Sequence, residues 1–81
     1  MPPITRREME DRIAWLESVR DQACADYLLV TRDARLNGGE RRYQQVEPLA
    51  WQVLIRALEY FERDCAALRR RAEEALAARS P

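Results

Sequence analysis

Histidine and lysine are both missing from this chain of 81 residues, and glycine occurs only as the adjacent pair Gly38-Gly39. Without histidine, the commonest general base and the commonest metal ligand are gone. Cys24 and Cys65 are far apart in sequence, and neither has a second cysteine or a histidine beside it, so the usual zinc frames are excluded. Both fall on or beside apolar helix faces and read as small core residues; a disulfide across paired helices is the alternative. No glycine-rich phosphate loop, Ser-His or Cys-His constellation or framed carboxylate pair is present, so neither enzymatic activity nor a cofactor is expected. No apolar run approaches the length of a membrane span, and "MPPITRREMEDRI" has no apolar signal core. The expected setting is intracellular and reducing, with no membrane partner.

What is present reads as a folded chain. Hydrophobic residues make up 47% and charged residues 35%, outside the disordered range. The 14 basic and 14 acidic residues cancel. Neutrality gives no global reason for nucleic acid or an anionic surface as the main ligand. Every basic residue is Arg, a side chain suited to planar multi-donor contacts at interfaces. The plainer explanation is a G+C-rich coding sequence, which also accounts for the abundant Ala. A single domain of this size buries only about 60–65% of its unfolded surface and often leans on a partner.

The pattern is helical on both sides of the glycines. Thr5 and Glu8 form a capping box, so a first helix is expected over 5–31. Met9, Ile13, Leu16, Ala23, Tyr27 and Val30 follow a 4,3 stripe with Arg20 in the missing slot. An Arg in such a stripe is an anion ligand in small helical mutases, but a snorkelling stem with a solvated head is the plainer reading. A turn or hairpin is expected over 32–47, and Pro48 suits the first position of a second helix over 48–79. In that helix Trp51, Leu54, Leu58, Phe61, Cys65 and Leu68 make a heptad-like seam that tapers to Ala72 and Ala75. The tapered end is expected to project or to meet another chain at close range. Trp15, Leu29, Val53, Ile55, Tyr60 and Leu76 fall off these seams. They call for a third layer: a hairpin, a neighbouring copy, or both.

The expected fold is mostly α, with two long antiparallel helices joined by a Gly-Gly loop or by a small β-hairpin, which would make it α+β. "ERRYQQV" leaves that choice open, because Tyr43 and Val46 are three apart and alternate poorly as a strand. The basic clusters are Arg41-Arg42 and Arg69-Arg70-Arg71. On a helix the triplet spreads over about 200° of arc and forms no single patch.

The segment "GGERRYQQVEPLAWQVLIRALEYFER" resembles the lambda W-type family of tailed-phage head-completion, or head–tail connector, proteins. The matching elements are the Gly38-Gly39 turn, Arg41-Arg42-Tyr43, Val46, Leu49, Val53, Ile55 and "LEYFER". The resemblance implies two antiparallel helices on a small hairpin and no catalysis. It implies a ring of copies at the portal vertex, bound to the portal protein and to the next connector or tail protein, with incidental DNA contact. The protein would then reside in the virion at the head–tail interface, after assembly in the host cytoplasm. The expected interaction residues are Arg41, Arg42, Tyr43, Trp51, Arg69, Arg70 and Arg71. The alternative is a small helical regulator of a partner protein, such as an inhibitor or an antitoxin-like protein.

Overall fold

A computed structural model describes residues 2–79. It is mostly α: one helical element, α1, runs Arg6–Arg79, and no strand occurs among the described residues. Thr5 caps its start. The Glu8 amide donates to Thr5 Oγ1 at 3.1 Å, and the Met9 amide donates to the Thr5 carbonyl at 3.0 Å. This is one arm of the capping box, and it satisfies donors that the first turn leaves without partners. Glu8 in the first turn and Arg79 in the last complement the helix dipole.

Gly39 interrupts the helix. Its φ of 69° and ψ of −166° are non-helical and lie in a region open essentially to glycine alone. A straight helix of 74 residues would measure about 111 Å at 1.5 Å per residue. The longest dimension of the molecule is 63 Å, against about 60 Å for residues 40–79 alone. Residues on either side of Gly39 meet at several points. Tyr27 meets Trp51 edge-on at 5.8 Å between ring centroids, and the Arg20 guanidinium lies 5.6 Å from the centre of the Phe61 ring.

Residues 32–47 correct the expected boundaries. They are helical except for Gly39, so neither a β-hairpin nor an extended loop is found there. Glu40, Arg41, Arg42, Gln44 and Gln45 are strong helix formers, and the helix resumes directly after the glycine. Pro48 is therefore inside the helix rather than at its start. The close return shows at Gly38, where an added Cβ would fall on the Arg42 side chain. The Asn37 amide donates to the Asp33 carboxylate at 2.6 Å and to the Asp33 carbonyl at 3.2 Å. Across the glycine, Arg35 pairs with Glu40 at 3.2 Å and lies 3.9 Å over the Tyr43 ring.

The core between the limbs is thin. Ile4, Leu16, Ala34 and Ala75 are its buried apolar residues, and no large side chain among the described residues is completely enclosed. Thr31 is buried too, but its hydroxyl donates back to the Tyr27 carbonyl at 2.8 Å, so it carries no unmet donor. The seam from Leu54 to Ala72 is half-buried, as its spacing predicts. The tapered end does not project: Ile4 and Met9 line a shared recess with Ala72 and Ala75.

Candidate functional site: an apolar groove between the limbs

The interface stripe of each limb covers only one side of it. On a helix, residues two positions apart point about 200° away from each other, so a limb touching one neighbour leaves its other sides open. The consequence here is a groove of about 380 Å³ nearer the Gly39 end of the body. Ala23, Tyr27 and Val30 line it from the first limb, and Leu49, Ala50 and Val53 from the second. Small and large side chains have different parts in its shape. Ala23 and Ala50 are half-buried or close to it and leave the recess, whereas Leu49 and Val53 stand up from it, 65% and 71% exposed. A second hollow continues past Leu49 and Val53 to Arg56 and Tyr60, so the apolar strip runs along the second limb.

One polar contact anchors the groove wall. The Tyr27 hydroxyl donates to the Glu47 carboxylate at 3.1 Å, which ties the first limb to the second just beside the apolar lining. Burial, and then the Glu47 carboxylate, push the Tyr27 phenol above its usual value, with Tyr43 adding to the effect. The chemistry available is recognition of an apolar surface. Among the described residues, no group of three carboxylate or thiol side chains comes together to hold a metal ion. Nor, among the described residues, is any helix long and apolar enough to cross a membrane.

The sequence-predicted interaction residues do not converge. Arg41, Arg42 and Tyr43 stand near the reversal, with both arginines exposed and Tyr43 half-buried under Arg35. Arg69, Arg70 and Arg71 lie 28 residues further along the same limb, about 42 Å away at the helical rise. Arg69 pairs with Glu73 at 3.7 Å, and Arg71 lines a separate recess with Arg12 and Trp15. Trp51 is half-exposed, with its ring edge-on to Tyr27. Arg20 pairs with its neighbour Asp21 at 3.2 Å and rests over Phe61, which fits a snorkelling side chain. Cys24 and Cys65 are both free thiols.

The groove itself went unread in sequence, although its trace is there. Val46, Ala50, Val53, Ala57 and Tyr60 recur at spacings of 4, 3, 4 and 3, a second stripe beside the main seam. Compared with known protein families, curated proteins and solved structures, the chain shows no match.

Proposed function

We propose that this chain is a non-catalytic structural association protein: an antiparallel helical hairpin, reversed at Gly39, whose open apolar side is completed by another polypeptide. Two features support the hairpin. Tyr27 and Trp51, in edge-on contact, are each twelve residues from Gly39. The 63 Å length fits two limbs side by side and not one continuous rod. The observation that carries the association reading is the groove beneath Leu49 and Val53, in a molecule whose own core encloses no large side chain among the described residues. Apolar residues left exposed side by side, as Leu49 and Val53 are, suit an interaction site.

In its narrower form, the reading is a head–tail connector subunit docking as a ring on a phage portal vertex. The α+β fold implied by the family resemblance is not what residues 32–47 form, so this narrower form now rests on the elongated body. Arg41 and Arg42 near one end and Arg69 to Arg71 toward the other suit contacts to two different neighbours, the portal and the next connector or tail protein. Particles assembled without the chain should leak DNA or fail to join tails. Tail-competent, DNA-retaining particles lacking it would rule out the connector role. The groove, sized for the side chains of one apolar helix, also favours the regulator reading. A tight one-to-one complex with a single enzyme, and no association with particles, would select it.

A further inference from the structure

The groove and the ridge beside it lie on one surface, and that surface has the two parts an isologous contact needs. Leu49 and Val53 are knobs; the space over Ala23 and Ala50 is a hole next to them. A two-fold axis presents each copy's ridge to the other's recess without any further feature. We propose that a second copy of this chain occupies the groove, with Leu49 and Val53 of each copy seated over Ala23 and Ala50 of the other. The proposal deepens the association reading and rests on its broad form.

Area and charge both favour a second copy. The chain exposes 6761 Å², whereas a compact monomer of 9.5 kDa exposes about 5,000 Å². The excess, about 1,700 Å² per chain by that scaling, is of the size that obligate dimers remove, because their interfaces bury about 2,000–5,000 Å² over both partners. The radius of gyration makes the same point: 18.3 Å, against about 12 Å for a compact domain of this length. A partner of strong charge would find no counterpart, because the chain is neutral. Asp26 lines the groove and Arg56 lines the adjoining hollow, so one surface offers both signs to its own copy.

The test is the mass of the full chain in solution at about 100 µM, well above the Kd of a stable dimer, by light scattering and sedimentation. The expected mass is twice that of the chain. Val53→Asp should weaken the dimer by at least about 30-fold, the loss typical of an interface hot spot. Ile55→Asp, two residues away and about 200° around the limb, should leave it intact. Because an aspartate at position 53 is able to unfold a thin fold, isotope-filtered NMR on the unmodified protein gives an independent readout. Mixed labelled and unlabelled copies should show cross-peaks between copies from the Leu49 and Val53 methyls. A folded monomer overturns the proposal, and so does a dimer whose cross-peaks come from Ile55 and Leu28 instead. Either result leaves the connector role to the particle experiment. Tail-competent particles lacking the chain would in turn leave this dimer standing.

Discussion

Gly39 holds a backbone conformation that an L side chain resists, and nothing lies within 4 Å of where its Cβ would be. A Gly39→Ala variant therefore isolates the backbone cost. It should lose about 1–3 kcal/mol in urea unfolding, with no steric contribution from neighbours. Equal stability would mean that the reversal relaxes at no cost. Gly38 is the complementary case, since its substitution meets the Arg42 side chain. Tyr27 belongs to this scale as well. Its phenol titrates above the ordinary value when folded, so the unfolded chain ionises first. The stabilisation is complete below the unfolded value of about pH 10 and is lost as pH rises through the folded value. Stability measured against alkaline pH should fall less steeply in Tyr27→Phe than in the unmodified protein. The same substitution removes the hydrogen bond to Glu47, so Tyr27→Phe should also be less stable than the unmodified protein at neutral pH. Identical alkaline profiles would remove the folded-state effect.

At the scale of the helix, Pro48 is the residue in conflict with its surroundings. It lacks the amide that would reach Gln44, and its ring crowds that carbonyl. Pro48→Ala should accordingly stabilise the protein by about 1–3 kcal/mol in thermal or urea unfolding; a destabilised variant would show that the fixed proline φ outweighs the missing hydrogen bond. Thr5→Ala should cost about 1 kcal/mol through the cap. The cap and both apolar stripes were legible because each is a local pattern that a helix reads directly. The span 32–47 was not. Gly38, Gly39 and Pro48 are strong punctuation marks, and they outweighed a run of Glu, Arg and Gln that favours helix on intrinsic grounds. Only Gly39 leaves the helix, and it does so in a single residue. The groove was illegible for a different reason. Its stripe on the second limb is visible in sequence, but its floor comes from Ala23 on the first. Which side of one limb faces which side of the other is a property of the reversal, not of either stripe.

Across the whole molecule, the polar contacts are weak and the apolar ones incomplete. The ion pairs Arg20–Asp21, Arg35–Glu40 and Arg69–Glu73 have side chains 44–75% exposed. Pairs of that kind contribute about 0–1 kcal/mol and are screened by salt. With no net charge to screen either, the melting temperature should change little between low and high salt. A strong salt dependence in calorimetry would point to an electrostatic network beyond these three pairs. In the proposed dimer, stability should depend instead on protein concentration, because association then contributes to it.

The one-residue reversal has a kinetic consequence. In the proposed hairpin, with Gly39 as the whole loop, closure brings together residues close in sequence, such as Arg35 and Tyr43, at small entropic cost. Each later contact, Tyr27 to Trp51 and then Arg20 to Phe61, extends a pairing already begun. Ile4 and Ala75, which line one recess, are the most distant in sequence and so are expected to meet last. The limbs should therefore zip from the glycine outward and fray from the opposite end, and amide exchange should slow steadily along the body toward Gly39.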